Sequence, residues 1–168
     1  KSFIYTINSG AVPLDHWTQD SQIGGGRIIG EACHFIDLLR FLTGSRITDI
    51  VTSKMECQAN DVAAITLSFA DGSIGTIHYV ANGHRSVAKE RLEVFCDGKI
   101  LQLDNFRKLT GFGWKNFSSQ TSRSQDKGQA ECARCFLDAI MKGAPEPIAL
   151  EQLFEVTRFS LHAAHGTL

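Results

Sequence analysis

The chain has 168 residues, of which 43% are hydrophobic and 21% charged, a composition typical of one folded domain. Its 17 basic and 18 acidic residues give a net charge of −1 with no run of one sign, which argues against nucleic-acid binding. No stretch of about 18 consecutive apolar residues occurs, so the sequence predicts no membrane span. Five scattered cysteines favour reduced thiols in a cytoplasmic protein over a disulfide framework.

The first third of the chain predicts a strand, a polar loop, one long helix and a second strand. Residues 2–8 are β-branched and aromatic, as in a strand, and residues 46–56 form the second strand. A triple glycine at 24–26 leads into the helix, which ends near Thr43 with Gly44 as its C-terminal cap. Because the chain enters its first strand without an initiator methionine, we expect it to be part of a longer protein.

Two hairpins follow, each centred on an Asp-Gly pair that suits a two-residue type I′ turn. In the first, residues 62–70 and 73–80 flank the turn, a register that places Phe69 opposite Ile74 on the core face. The other face of this hairpin then carries small residues: Ala64, Ser68, Ala70 and Gly75. The second hairpin joins residues 91–96 to 99–103, so this part of the chain predicts an antiparallel sheet.

The last third of the chain predicts a loop and two amphipathic helices. Residues 109–125 are rich in Gly, Ser, Thr and Gln, which favours a long loop, and the helices cover 126–142 and 150–162. Cys132 and Cys135 share the apolar face of the first helix, and no second pair completes a metal tetrahedron. We therefore interpret both as core cysteines.

Five polar residues form a stripe on the otherwise apolar helix: Arg27, Glu31, His34, Asp37 and Arg40. Buried charges are costly unless they are paired or face a cleft. A structural interpretation pairs Arg27 with Glu31 and Asp37 with Arg40. Three functional interpretations remain: proton transfer by His34, phosphate binding at the glycine-rich helix start, and a metal site. The metal site would use Glu31, His34 and Asp37, whose side chains converge poorly on one ion.

Two features before this helix bear on ligand binding. Residues 24–30 read GxGxxxG, but the polar loop before them is not the strand that a dinucleotide fingerprint needs, so we expect no cofactor site there. Trp17 lies in that loop beside Asp15 and His16, where an aromatic ring suits either sugar stacking or plain packing.

The triple glycine followed by His34-Phe35-Ile36-Asp37 resembles the C-terminal domain of the glucose–fructose oxidoreductase / inositol dehydrogenase / MocA (Gfo/Idh/MocA) family. The order of the predicted elements agrees along the whole chain. This resemblance implies an α+β (α/β) fold, a predominantly antiparallel open sheet with helices packed on one face, similar to the C-terminal domain of dihydrodipicolinate reductase. It also implies an N-terminal Rossmann domain, absent here, that binds NAD or NADP.

The resemblance further implies roles for individual residues. His34 falls at the position of the family's catalytic histidine, where it would relay a proton, and Asp37 at an acidic position whose role is structural. The substrate-binding candidates are Trp17, Asp15, Arg27, Glu31 and Lys127. Gly30 stands where the family commonly has an aspartate, so that substrate contact is missing or has moved to Glu31.

Together these features predict one function and one alternative. Residues 1–168 form a single substrate-binding and oligomerisation domain of an NAD(P)-dependent oxidoreductase, inactive alone, that acts on a sugar or polyol-like compound. We expect its partners to be its own N-terminal domain and a second copy across the small-residue sheet face. We expect no metal, nucleic acid or membrane partner. The alternative is a non-catalytic sugar-sensing or dimerisation module, with the polar stripe as a structural ladder.

Overall fold

The computed structural model describes residues 1–20, 22–59 and 61–166, which form one open sheet and three α-helices. The strands are β1 (Ser2–Asn8), β2 (Ile47–Lys54), β3 (Ala63–Phe69), β4 (Ile74–Val80), β5 (Glu90–Cys96), β6 (Lys99–Asp104), β7 (Lys108–Phe112) and β8 (Ser119–Thr121). The helices are α1 (Cys33–Thr43), α2 (Gln129–Lys142) and α3 (Leu150–His165), with a 3₁₀ turn at Trp17–Gln19 and a π-helical turn at Ile28–Ala32.

The sheet has the order β2-β3-β4-β1-β5-β6-β7-β8, and its pairs are antiparallel except for β1 with β4. The helices α1 and α3 pack against each other and cover one face, where α1 contacts β4 and α3 contacts β2. The fold class expected from the sequence is thus confirmed.

The core lies between the two packed helices and the inner face of the sheet. Alternation along β1 buries Phe3, Tyr5 and Ile7, which confirms the predicted first strand. On the helix side, Ile36 and Leu39 of α1 are fully buried, one turn apart. Gly44 adopts the left-handed conformation at φ 69° and ends α1 as the sequence predicted.

The register of the first hairpin differs from the prediction by one residue. Ile74 pairs with Ser68 instead of Phe69, because the loop is three residues long (70–72) and Gly72 takes the left-handed conformation at φ 82°. A three-residue loop of this kind, a type I turn closed by a left-handed glycine, uses the same Asp-Gly pair as a two-residue turn. The sequence did not distinguish the two.

This register exchanges the residues on the two faces of β4. Ile74 lies on the outer face, 52% exposed, whereas Gly75 lies on the core face, where an added Cβ would be 2.8 Å from Leu39 Cδ1. Ala70 is part of the loop. Of the small residues expected on the outer face, Ala64 and Ser68 remain there.

The second hairpin has the predicted turn and register. Cys96 pairs with Lys99, and Asp97 and Gly98 have φ values of 49° and 71°, as a type I′ turn requires. The expected apolar pairs follow from this register: Leu92 with Leu103 and Val94 with Leu101.

The C-terminal third of the chain differs from the prediction in its strands, in the bounds of its helices and in the burial of its two cysteines. The expected loop at 109–125 instead contributes most of β7 and all of β8, because β6 pairs with β7 and β7 with β8, and the local composition does not signal these pairings. The helix expected at 126–142 begins at Gln129, and α3 continues to His165. Cys132 is exposed and Cys135 half-buried, so their assignment to the core is wrong. The predicted amphipathic periodicity of α2 is confirmed, but α2 buries no residue.

Candidate functional site

The polar stripe begins on the π-helical turn and continues on α1. Just before it, Gly24 passes so close to the 3₁₀ turn that an added Cβ would lie 2.5 Å from the Trp17 carbonyl oxygen. Gly25 and Gly26 follow with positive φ values of 68° and 84°, which bend the chain into the π-helical turn. Such turns insert an extra residue into a helix and are frequent at functional sites. Here the turn carries Glu31, and His34 follows it at the start of α1.

Arg27 is the buried anchor of the stripe, with 7% of its surface exposed. One guanidinium nitrogen donates to the Gly10 carbonyl at 2.8 Å and contacts Asp61 Oδ2 at 3.4 Å. The other donates to Glu31 Oε2 at 3.0 Å and to the Ser9 hydroxyl. The predicted Arg27–Glu31 ion pair is therefore confirmed, and it ties the π-helical turn to the end of β1.

Glu31 receives three further hydrogen bonds from outside its own helix. Lys89 Nζ donates to Oε1 at 2.5 Å, while the Tyr79 and Ser9 hydroxyls donate to Oε2 at 2.5 and 2.8 Å. Burial alone would raise the pKa of Glu31, but the bonds from Lys89, Tyr79 and Ser9 outweigh it and lower the pKa to about 2. The carboxylate is therefore charged at neutral pH and too weak a base to accept a substrate proton.

A second tyrosine–glutamate–lysine set lies beside the first. Glu90 of β5 is buried and accepts hydrogen bonds from the Tyr5 hydroxyl and from Lys127 Nζ. Burial, and then the contact with Glu90, raises the pKa of Tyr5. The Phe35 ring of α1 packs on Tyr5 with 5.2 Å between ring centroids. Lys127 is thus held by a buried carboxylate, with 31% of its side chain exposed.

His34 differs from the other members of the stripe because its side chain is exposed. Among the described residues, no side-chain hydrogen bond engages its ring, which leaves both nitrogens open to a ligand. Asp37, one turn further on, has its pKa raised by burial, against the opposing effects of His34 and Arg40. The predicted Asp37–Arg40 ion pair is replaced, because Arg40 Nε donates to Glu155 of α3 at 2.9 Å.

The loop with the remaining candidates lies next to the stripe, where its Gly10 carbonyl accepts a hydrogen bond from Arg27. Trp17 is 60% exposed, with its ring 5.9 Å from that of His16, and Asp15 is exposed. The loop is tied to the stripe by Gln19, whose amide donates to Asp61, the carboxylate that also contacts Arg27. The structure therefore leaves Trp17 accessible for stacking, with the neighbouring His16 ring tilted against it.

A cleft of about 410 Å³ opens between this loop and the end of α3, with Gly25, Gly26, Arg27, Lys54 and His165 among its lining residues. Two of the three amides of the glycine run are not free to bind a phosphate, because those of Gly24 and Gly25 already donate to the Asp20 carbonyl at 2.9 and 3.0 Å. The run also follows a 3₁₀ turn rather than a strand, so it lacks the strand–turn–helix of a dinucleotide site. In the described part of the chain, no group of three His, Cys, Asp or Glu side chains could hold a metal ion.

Sequence reasoning missed the partners of the stripe, which lie far away along the chain: Ser9, Asp61, Tyr79, Lys89 and Glu155. It also missed Tyr5 and Glu90, which form the set that holds Lys127. The available signal was a polar residue at a core-facing position of a strand. Tyr5 and Tyr79 each lie on the buried face of their strand, next to apolar residues on the same face. A buried tyrosine hydroxyl needs a hydrogen-bond partner.

The chain resembles known proteins in sequence and in fold. A sequence profile described as the GFO/IDH/MocA C-terminal domain matches residues 3–102. The chain belongs to this family. The match contains β1, the π-helical turn, α1 and the sheet as far as β6, so the whole polar stripe lies inside it. No curated protein sequence matched the chain.

Solved structures of similar fold match almost the entire chain. UDP-N-acetylglucosamine 3-dehydrogenase GnnA from Acidithiobacillus ferrooxidans has a TM-score of 0.77 at 15% identity, over 99% of this chain and 53% of that one. GenD2 from gentamicin A biosynthesis, in complex with NAD, has a TM-score of 0.71 at 19% identity, over 99% and 54%. Aldose-aldose oxidoreductase from Caulobacter crescentus, complexed with glycerol, has 0.75 at 14% identity, over 98% and 53%.

At these identities the structural likeness shows a shared fold. The GFO/IDH/MocA C-terminal domain described here spans about half the length of each of these proteins. None of its described helices is both long and apolar enough to cross a membrane.

Proposed function

We propose that this chain is the substrate-binding half of an NAD(P)-dependent oxidoreductase that acts on a sugar or related hydroxy compound. Membership in the GFO/IDH/MocA C-terminal domain family supports an oxidoreductase. The names of three structural neighbours, a nucleotide-sugar dehydrogenase, an aldose-aldose oxidoreductase and an NAD-bound biosynthetic protein, support a sugar-like substrate and a nicotinamide cofactor.

The observation that carries this proposal is the exposed His34 imidazole in a stripe whose Arg27, Glu31 and Arg40 are already paired. Oxidation of a secondary alcohol releases a hydride and a proton, and the nicotinamide, held by an N-terminal domain, supplies the hydride acceptor. His34 accepts the hydroxyl proton, since its ring carries no side-chain hydrogen bond among the described residues and imidazole is the commonest general base in enzymes. Glu31 cannot take this role because its pKa is about 2. Its task is to hold the π-helical turn that positions His34.

The substrate would lie over His34, between the loop that carries Trp17 and the side chains of Lys89 and Lys127. Lys89 and Lys127 each use one of three N–H donors on a glutamate of the chain, which leaves the others for substrate hydroxyl groups. Lys89 adds to the sequence-derived set of Trp17, Asp15, Arg27, Glu31 and Lys127. Arg27 and Glu31, whose donors and acceptors are engaged within the chain, then act by positioning.

The outer face of the sheet is the proposed contact with a second copy. Ala64 and Ser68 keep β3 flat, and Ile74 and Val51 are exposed apolar residues on the same face. One large flat surface of this kind is readily covered by another sheet. We also place the protein in the cytoplasm, on the ground that its five cysteines are all free thiols.

The test compares turnover by the longer polypeptide that contains this domain with turnover by its His34→Ala variant. The substrates are an aldose panel and a UDP-sugar, each with NAD and with NADP. General acid–base catalysis predicts a loss of about 10²- to 10⁴-fold in kcat/KM. His84→Ala is the matched control, because His84 is also exposed and its ring bonds Ser86 within its own loop. Parent-like rates in His34→Ala would refute the proton-relay role, whereas absence of turnover by the parent on every one of these substrates would favour the non-catalytic sugar-sensing or dimerisation module.

A further inference from the structure

Asp61 is a buried carboxylate between β2 and β3, with 5% of its surface exposed. Its Oδ2 atom accepts two hydrogen bonds, from the side-chain amide of Gln19 at 3.2 Å and from the guanidinium of Arg27 at 3.4 Å. The two donors belong to different elements, because Gln19 ends the 3₁₀ turn that begins at Trp17, whereas Arg27 precedes the π-helical turn. One oxygen atom therefore joins these two elements.

The loop that carries Trp17, residues 9–26, is called the Trp17 loop below, and its middle is bonded mainly to itself. The Gln19 amide donates to the His16 carbonyl at 2.8 Å, and the amides of residues 24 and 25 donate to the Asp20 carbonyl. Among the described residues, the bond from Gln19 to Asp61 is the only hydrogen bond that joins residues 11–20 to a residue outside the loop. The position of the exposed Trp17 ring therefore depends on this tether.

A row of side chains with alternating charge continues from the tether across the site. In order, its members are Asp61, Arg27, Glu31 and Lys89. The contact from Arg27 to Glu31 is 3.0 Å and that from Lys89 to Glu31 is 2.5 Å, so each buried or half-buried charge meets an opposite one. The two ends of the row are the Trp17 loop and Lys89, which flank the proposed substrate position, and its middle is the turn that precedes His34.

We propose that Asp61 is a positioning residue, which fixes the Trp17 loop against the turn before His34 and thereby sets the gap that receives the substrate. This inference rests on the proposed function, which assigns Trp17 to substrate binding and His34 to proton transfer. Because its carboxylate is buried and already accepts two hydrogen bonds, Asp61 acts through Gln19 and not on the substrate itself. Such support matters because a shift of about 1 Å in a binding group costs on the order of 10²-fold.

Replacement of Asp61 by alanine tests this role in the longer polypeptide. The Asp61→Ala variant loses the tether, while Arg27 keeps its bonds to Gly10, Ser9 and Glu31, so the turn before His34 stays in place. We expect KM for the sugar substrate to rise about tenfold or more, with kcat within about threefold of the parent, as for the loss of a contact made equally in the ground and transition states. Asp61→Asn, whose carbonyl still accepts from Gln19, should restore most of the parent KM. A parent-like KM in Asp61→Ala would overturn the proposal.

Two further substitutions test whether Asp61 acts through the Trp17 loop. Gln19→Ala removes the tether but leaves the pair of Asp61 and Arg27 intact, and it should reproduce the rise in KM. Trp17→Ala should raise KM by itself, and adding Asp61→Ala to it should change KM by less than about twofold, because the loop then carries no ring to misplace. Effects that multiply in full would overturn the assignment to this loop.

Glu155→Ala is the matched control for a loss of stability. Glu155 is a carboxylate with 13% of its side chain exposed, and it accepts from Arg40 at 2.9 Å and from the Ile47 amide at 2.7 Å. These contacts join α1, α3 and β2 and do not include the Trp17 loop. Glu155→Ala should therefore destabilise the fold as Asp61→Ala does, yet leave KM within about twofold of the parent. An equal rise in KM in both variants would show a general effect of stability and overturn the proposal.

Hydrogen exchange, read by mass spectrometry on peptides from residues 16–25, measures the tether without any turnover. Opening of the Trp17 loop has to break its internal amide bonds together with the tether, so Asp61→Ala should speed this exchange about tenfold or more. Glu155→Ala should change it by less than about twofold. Unchanged exchange in Asp61→Ala overturns the proposal even where the parent turns over. Faster exchange in the variant of a parent that turns over no substrate supports the tether and counts against the proposed function.

Discussion

Replacement of Glu31 by glutamine tests whether the buried charge network stabilises the site. The pKa of Glu31 is lowered from its ordinary value of 4.5 to about 2, by bonds that outweigh burial. Each pKa unit corresponds to about 1.4 kcal/mol, so the charged form of Glu31 contributes about 3 kcal/mol to folding. Because 23% of the side chain reaches solvent, screening reduces this contribution, and we expect Glu31→Gln to cost about 2 kcal/mol at pH 7.

The lowered pKa of Glu31 also predicts how the free energy of unfolding changes with pH. A carboxyl whose pKa is lower in the folded state stabilises the fold fully above its unfolded pKa, and this stabilisation is lost as the pH falls. The difference between the parent and Glu31→Gln should therefore be constant above about pH 5 and shrink between pH 4.5 and 2. Urea unfolding followed by far-ultraviolet circular dichroism measures this difference in the free energy of unfolding. This probe is preferable to fluorescence because both tryptophans, Trp17 and Trp114, are exposed.

Glu131→Gln is the matched control for this experiment. The pKa of Glu131 is also lowered to about 2, first by its hydrogen bond to Arg134, yet this pair lies on the solvent side of α2. Solvent and salt screen such a pair, so its removal should change the free energy of unfolding little. Parent-like stability of Glu31→Gln at pH 7, or a deficit that persists undiminished near pH 2, would refute the reasoning about the buried network.

Three other substitutions test the fold around the site. Gly83→Ala should cost about 1–3 kcal/mol, because the added Cβ would lie 1.9 Å from Asn8 Oδ1, whose amide group donates to the His84 and Val87 carbonyls; a lower urea midpoint checks this. Gly98→Ala should cost about 1 kcal/mol by the same assay, since φ is 71° in its type I′ turn. Leu39→Ala, at a fully buried site, should cost about 2–5 kcal/mol, and a thermal midpoint unchanged within 2 °C would contradict the core packing.

The parts of the fold that depend on nearby residues were predictable from the sequence. β1, the long helix ending at Gly44 and the second hairpin each have a local signal, and each is present where the sequence placed it. The first hairpin shows the limit of such signals. Its Asp-Gly pair suits two loop lengths, and the choice between them decides whether Ile74 or Gly75 faces the core.

The strands β7 and β8 and the exposure of α2 depend on contacts that no local pattern reports. A polar segment becomes a strand when a neighbouring edge offers it hydrogen bonds, as β6 does for β7. For α2, the helical period correctly showed an apolar arc but could not show what covers that arc. Cys132 was accordingly assigned to a core that the domain does not provide for it.

The polar stripe was predictable as a stripe, but the roles of its members depend on the elements opposite each one. Helix geometry alone gave the Arg27–Glu31 pair, because the two residues are four positions apart. It could not find Tyr79 and Lys89, which bond Glu31 from 48 and 58 positions away. These distant donors fix Glu31 as a charged anchor.

The same distinction explains why His34 remains the candidate for proton transfer. The members of the stripe that meet a strand or α3 are bound by an opposite charge: Arg27 by Glu31 and Asp61, Arg40 by Glu155. A paired charge has its hydrogen-bonding capacity used within the fold, so it serves geometry better than chemistry. His34 follows the anchored π-helical turn and faces solvent. It therefore combines a fixed backbone with an open imidazole, which is the arrangement that a general base requires.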